Sequence, residues 1–366
     1  MIIAPKPFKV AKKTFINSKN YAFDKDLIFY ERGSHGIISG IRMVSKDVKN
    51  ILIPALFCKE TKDSLQQAGF TIHYLDINDN FSWDMDSLIK YTSNNSIEAV
   101  IICDFFGAKN INLDEIINFC KDNNLISIRD CCHSPFSFDK YDIKSDITVF
   151  SFRKVFAIQD GGALVLKSKK QLINETAKVF KINKIKSFID WLLSINYKFN
   201  VLNPFLVIDF FDKKHVNTRY IKKNIDIKST MPSKSLINNL NNQTLLNYIR
   251  MQRKKNTKLI IDFFNKNKDL KLTPIHFDKE SSLQTLPVLS ENPSELINFL
   301  RKKGIGALSW PGKSMPEEVL KNKSKYPTSI RINNSLICLP IHQDVGEEHL
   351  NYMKLTILEF NNETIK

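Results

Sequence analysis

Residues 128–166 read IRDCCHSPFSFDKYDIKSDITVFSFRKVFAIQDGGALVL, and two apolar runs at this stretch lead into charged residues. Leu125, Ile126 and Ile128 run up to Asp130, while Ile147, Val149, Phe150 and Phe152 run up to Lys154. Short runs of this composition predict strands, so the carboxylate and the amine each fall at a strand's carboxyl end. In open α/β sheets that edge is where loops leave the strands and polar groups converge on a ligand. The spacing between Asp130 and Lys154 allows one connecting excursion between neighbouring strands.

Working outward, His133 follows the acid, Ser151 precedes the lysine, and a Gly161-Gly162 turn closes the stretch. This is the layout of a pyridoxal 5'-phosphate (PLP) site. Such a site needs a lysine to hold the cofactor aldehyde and an acid to keep the pyridine nitrogen protonated, so that the ring accepts electrons. Further strand-like runs occupy residues 51–53, 71–75, 99–103 and 163–166, and Leu113, Ile116, Ile117 and Cys120 keep a helical period between two of them. Strands alternating with helices predict a mostly parallel sheet flanked by helices. We assign residues 21–240 to a large cofactor-binding α/β domain. From about residue 241 the pattern changes to a long polar-faced helix (residues 244–265), short strands, a helix at 293–304 and a terminal amphipathic helix at 346–360. Residues 241–366 are expected to form a smaller α+β domain that closes over the site. Residues 230–235 (TMPSKS) and 310–316 (WPGKSMP) read as loops that contact substrate.

Six segments in order carry a resemblance to a known family: IPALFC (53–58), DFFG (104–107), RDCCHS (129–134), SDITVFSFRK (145–154), DGGALVL (160–166) and CLPIHQDVGEEHL (338–350). The chain resembles the DegT/DnrJ/EryC1/StrS family of PLP-dependent sugar aminotransferases, which have the fold-type-I PLP transferase fold. The resemblance implies that Lys154 bonds to the cofactor aldehyde, Asp130 pairs with the pyridine nitrogen, His133 lies against the ring or its phenolic oxygen, and Ser151 binds the phosphate. It further implies that Gly33 and Ser34, at the start of a helix beginning near His35, offer backbone amides to that phosphate, and that Phe57 stacks on the ring. One departure stands out. The commonest family pattern has two more residues between the Ser-Phe pair and the lysine, and an asparagine after it, whereas here Lys154 comes two after Phe152 and Val155 follows. The seven residues from Lys154 to Gly161 agree with the family, and Arg153 is a candidate replacement for the asparagine.

What the resemblance implies for activity is transfer of an amino group from glutamate to a keto-sugar, in particular a nucleotide-linked keto-deoxysugar bound for a polysaccharide or glycoconjugate, by a homodimer cycling between PLP and pyridoxamine phosphate (PMP). Arg153, Lys313 and Arg331 are candidates to meet a diphosphate linker. Three other readings fit the scaffold: a PLP-dependent sugar dehydratase, whose family members replace the lysine with histidine; a different fold-type-I PLP enzyme, such as a lyase acting on amino acids; and a non-catalytic scaffold or regulatory protein of a polysaccharide assembly complex.

The composition, 43% apolar and 25% charged over 366 residues, is that of a globular protein with ample core. Net charge is +16, which attracts anions. No nucleic-acid motif accompanies it, so no nucleic-acid partner is expected. The six cysteines sit mostly in apolar runs without paired spacing, which predicts small core residues and no metal site. The amino terminus has no signal-peptide pattern, no run reaches the length of a membrane span, and the expected location is the cytoplasm. Charge concentrates in residues 178–258, where lysines alternate with Phe188, Trp191, Leu192, Leu193, Phe199 and Phe210. These residues are expected to pack on the main domain or a dimer partner, with peripheral membrane contact as the rarer alternative.

Overall fold

The computed structural model describes residues 1–8, 27–134, 143–168, 177–205, 227–275 and 277–364. Its centre is a seven-stranded sheet of β1 (Ile28–Tyr30), β2 (Asn50–Pro54), β3 (Thr71–Leu75), β4 (Ala99–Cys103), β5 (Ile126–Cys131), β6 (Ile147–Ser151) and β7 (Gly162–Leu166), in the order β1-β7-β6-β5-β4-β2-β3. The pairs β2·β3, β2·β4, β4·β5 and β5·β6 are parallel; β7 runs antiparallel to both β6 and β1. Every residue of β4 and β6 is buried. A strand covered on both faces needs apolar residues at successive positions, which is why these segments read as unbroken runs. The predicted adjacency of the Asp130 and Lys154 strands holds, with Asp130 opposite Val149. Asp130 lies one residue inside β5 instead of ending it, and β1 was not anticipated because only three residues form it.

One helix, α1 (Gly33–Val44), crosses the sheet against β6 and β7 with its amino terminus at the strands' carboxyl ends. It starts two residues earlier than the sequence suggested, so Gly33 and Ser34 are its first residues. Gly33, Gly36 and Gly40 share a face, and a Cβ added to them would stand 2.5 Å from Cys132 Sγ, 3.3 Å from Val149 Cγ1 and 2.8 Å from Ile147 Cγ2. The bare backbone is what lets the helix settle on the sheet. Gly33→Ala is expected to cost about 1–3 kcal/mol by overpacking and to push the helix start away from β5 and β6, a loss that denaturant unfolding would register.

A two-stranded parallel ladder pairs β8 (Lys178–Val179) with β9 (Thr230–Met231). Beyond it, β10 (Leu272–Pro274), β11 (Leu286–Ser290) and β12 (Leu336–Leu339) form an antiparallel sheet. The helices Gln243–Lys266, Pro293–Lys302 and Glu347–Thr364 pack with it around a second core that includes Ile260, Leu286, Leu300 and Met353. The chain's first residues join this part: Ile3 donates to Gly304 O at 2.8 Å and accepts from Gly306 N at 2.8 Å. His342, 2% exposed, fastens the same segment through Nε2, 2.8 Å from Ala4 O, while its Nδ1 accepts from Asp344 N.

Burial lowers His342 to about 4 from an ordinary 6.5. Below 6.5 the unfolded chain takes up a proton that the folded chain refuses. Stability is therefore intact above pH 6.5 and is expected to fall as pH drops toward 4, with His342→Asn flattening this dependence in denaturant titrations.

Candidate active site

Four turns leave the carboxyl ends of β2, β4, β5 and β6, and together with the start of α1 they enclose a cavity of about 510 Å³. Its lining contains Gly33, Ser34, Phe57, Asp130, His133, Ser151 and Lys154, the seven residues singled out in the sequence. Arg153 lines it too. Lys313 and Arg331 do not: Lys313 is exposed in a short turn, and Arg331 pairs with Asp79 on the surface. A cation suits a diphosphate wherever it lies in the sequence, but residue type carries no information about the direction in which the side chain points.

The shortened Ser-Phe-Arg-Lys segment reaches the cavity through a tight 3-10 turn, Phe152–Lys154, placed directly after β6. Phe152 N donates to Gly161 O at 2.7 Å, and Val155 and Phe156 both donate back to Phe152 O. Gly161 has φ 121, a left-handed-side conformation that glycine takes readily. Next to it, buried Asp160 accepts from Ser233 N at 2.7 Å and Ser233 Oγ at 2.8 Å. The 230–235 loop, read from sequence as touching substrate, thus braces the turn that carries Lys154.

On the acid side, one oxygen of Asp130 accepts from Cys132 N at 2.9 Å. Beneath it lies a buried ion pair that the sequence reading did not single out. Asp104 Oδ2 accepts from Arg129 Nε at 3.1 Å, Arg129 Nη2 at 2.9 Å, Ser134 Oγ at 2.9 Å and Cys131 Sγ at 3.5 Å. Its Oδ1 accepts from Asn110 N at 3.1 Å. A carboxylate with this many donors ties β4 to β5 and to the 131–134 turn, and so fixes where Asp130 and His133 stand. The available signal was that Asp104 follows an apolar strand just as Asp130 does.

His133 Nδ1 accepts from Phe106 N at 3.2 Å, which leaves the proton of the neutral ring on Nε2. To present that amide, Phe106 adopts φ 55, a conformation that costs a side-chain-bearing residue about 1–3 kcal/mol. The imidazole stacks on Phe106 (6.1 Å, 27°) and meets Trp310 edge-on at 4.9 Å. Burial, and then the Lys154 charge, hold His133 well below the usual histidine range. It is a neutral donor at physiological pH. Trp310 comes from the 310–316 loop, predicted to reach the site, and nothing in local sequence reveals that its ring meets His133.

Thiol chemistry does not suit this cavity. Cys58 is pushed up to about 11 by burial and by its hydrogen bond to Glu60, and Cys103 and Cys132 are raised well above the ordinary thiol value by burial. All three stay protonated at neutral pH. Lys154 acts electrostatically on all three cysteines and on His133, so its charge stands near the imidazole and the thiols of the cavity wall.

At the opposite end, α1 begins with no side-chain cap from Arg32 and no acidic residue in its first turn. Free amides at a helix start favour an anion. Ser151 lines the cavity with this end, and Arg153 is lowered by burial and then by the Arg32 charge, against the opposing charge of Glu31.

A family model, the DegT/DnrJ/EryC1/StrS aminotransferase family, matches residues 19–203, just over half of the chain. The chain belongs to this family. Among solved structures, NtdA from Bacillus subtilis with bound PMP is similar over 92% of this chain and 73% of its own, at 13% identity and TM-score 0.67. A DegT/DnrJ/EryC1/StrS aminotransferase from Brucella abortus covers 92% and 86% at 15% identity and TM-score 0.64. Helicobacter pylori PseC, an aminotransferase of pseudoaminic acid biosynthesis, covers 92% and 87% at 16% identity and TM-score 0.64. None of the curated proteins matches the chain by sequence. At these identities the structural likeness establishes the fold, which is fold type I. Within this DegT-family chain, the cavity at the sheet edge lies inside the segment that the family model matches, except for Trp310.

Proposed function

We propose that this protein is a PLP-dependent aminotransferase that moves an amino group from glutamate to a nucleotide-linked keto-deoxysugar. The observation that carries the reading is the convergence of Lys154, Asp130 and the uncapped start of α1 on one cavity. These three features match the three chemical ends of PLP, namely aldehyde, pyridine nitrogen and phosphate, and a cavity of about 510 Å³ falls in the range of cofactor sites. Gly33, Ser34 and Ser151 would hold the phosphate, with Arg153 nearby; Asp130 would face the ring nitrogen; His133 and Phe57 would border the ring; Lys154 would be the covalent anchor. When bound, PLP supplies a reversible carbonyl to carry the amino group and a ring that takes up the electron pair released at the donor's α carbon.

The side chains do the rest. Lys154 Nζ takes the proton from the α carbon of the amino donor, and in the second half-reaction returns one to the carbon that was the acceptor's carbonyl. Asp130 would present its carboxylate to the ring nitrogen, where it favours a proton on its partner. His133 stays neutral, so Nε2–H donates a hydrogen bond without adding charge. Phe57, Phe105 and Trp310 exclude water from the walls. The lysine at the centre of the site favours amino transfer over the dehydratase reading. We further propose that two copies assemble, as expected of the family, and that residues 241–366 act as the smaller domain over the site.

The experiment is a visible absorption titration of the purified protein with PLP, followed by glutamate and then by candidate acceptors. A PLP-dependent visible band that bleaches with glutamate and returns with a nucleotide-linked keto-sugar is the expected result. Return with simple 2-keto acids only would replace the sugar by an amino-acid substrate, and absence of any band would overturn the enzyme in favour of a scaffold.

A further inference from the structure

The helix Lys184–Phe199 turns its more apolar face outward. Ile185, Phe188, Ile189, Trp191, Leu192 and Phe199 recur at helical spacing along one side, and their exposures are 75%, 58%, 49%, 56%, 46% and 63%. Ser187, Asp190 and Ser194 lie on the inward side instead, lining a second cavity of about 270 Å³ together with Leu193 and Tyr197. A helix of a free-standing globular protein has the reverse arrangement, and an exposed apolar stripe of this size marks an interaction surface. Sequence reading expected Phe188, Trp191, Leu192 and Phe199 to be covered; Phe210 lies outside the described residues.

The helix is firmly held at both ends. Its cap Asn183 accepts from Lys186 N at 3.0 Å, and Gln159 bonds Asn183 N, Asn183 O and Ser187 Oγ at 3.0, 3.1 and 2.9 Å. Past its far end, Asn203 donates to Arg301 O and Lys302 O at 2.8 and 2.9 Å. The outward stripe is thus a fixed feature of the surface.

Charge decides what covers it. Within residues 177–205 the charged side chains are Lys178, Lys181, Lys184, Lys186 and Lys198 against one acid, Asp190, which faces inward. On the helical wheel Lys184 and Lys198 border one edge of the apolar arc and Lys186 the other. A second copy meeting this face about a two-fold axis would set lysine edges against lysine edges. An anionic lipid surface takes the apolar side chains below its headgroups and pairs each lysine edge with phosphate. We propose that this helix docks the protein in-plane on a membrane containing anionic lipid. Among the described residues no helix is long and apolar enough to cross a membrane.

The test is co-sedimentation of the full chain with phosphatidylcholine vesicles, with and without phosphatidylglycerol, at low and raised ionic strength. The expected result is binding that requires phosphatidylglycerol, weakens with salt and shifts tryptophan emission to the blue as Trp191 enters the interface. Phe188→Ser/Leu192→Ser should weaken partition at least about tenfold while keeping the circular dichroism of the parent. Lys184→Glu/Lys198→Glu, which leaves the apolar stripe intact, should remove the phosphatidylglycerol dependence. No binding of the parent at low salt would overturn the proposal, as would binding indifferent to both variants. A concentration-dependent rise in mass without vesicles, lost in Phe188→Ser/Leu192→Ser, would assign the face to a second copy instead.

Discussion

Replacing Lys154 by alanine is expected to lower amino transfer by roughly 10²–10⁴-fold or more and to abolish the PLP-dependent visible band. The cavity contains three thiols, all held protonated, and a histidine held neutral. None of them can take over as an amine. Arg153 is adjacent in sequence, but a guanidinium does not give up its proton at physiological pH. The variant should still retain PLP, because the start of α1, Ser151 and Asp130 are untouched. Equilibrium dialysis of PLP beside the activity measurement therefore separates lost chemistry from lost binding. A Lys154→Ala protein with parental turnover would remove the lysine from the mechanism.

The second large effect concerns stability. Asp104→Ala takes from the Arg129 guanidinium, 3% exposed, the carboxylate that accepts from its Nε and Nη2. Truncating one partner of a buried, hydrogen-bonded ion pair costs about 3–5 kcal/mol. The expected outcome is that much lost from the denaturant-extrapolated unfolding free energy. Asp104→Ala/Arg129→Ala should be less damaging than the sum of the two single changes, since both single changes remove the same pairwise interaction. Because Asp104 also receives Ser134 Oγ and Asn110 N, the surviving folded protein should show weaker PLP affinity through a displaced 131–134 turn. An Asp104→Ala protein as stable as its parent would mean that the pair holds nothing in place.

Periodicity and residue type were enough for the layered α/β architecture. β3 and β4 lie where the sequence placed them, residues 71–75 and 99–103, and the long helix expected at 244–265 spans Gln243–Lys266. Buried strands and amphipathic helices write their environment into the local pattern of apolar residues, so these elements are legible without any structure. The grouping of Asp130, His133, Ser151 and Lys154 was legible for the same reason, since each follows or ends an apolar run and the sheet edge gathers such positions.

What the sequence alone did not contain is everything that depends on two distant segments meeting. Trp310 against His133, Asp104 under Arg129, and Ser233 bracing Asp160 are contacts across 177, 25 and 73 residues, and no local pattern encodes them. The direction in which a side chain points is likewise absent from its identity, which is why Lys313 and Arg331 looked as suitable as Arg153 and only Arg153 reaches the cavity. The Lys184–Phe199 helix makes the same point in reverse. Its mixture of lysines and large apolar residues was visible, but whether the apolar side faces the core or the solvent is settled by which face the rest of the chain covers, and here the chain covers the polar one.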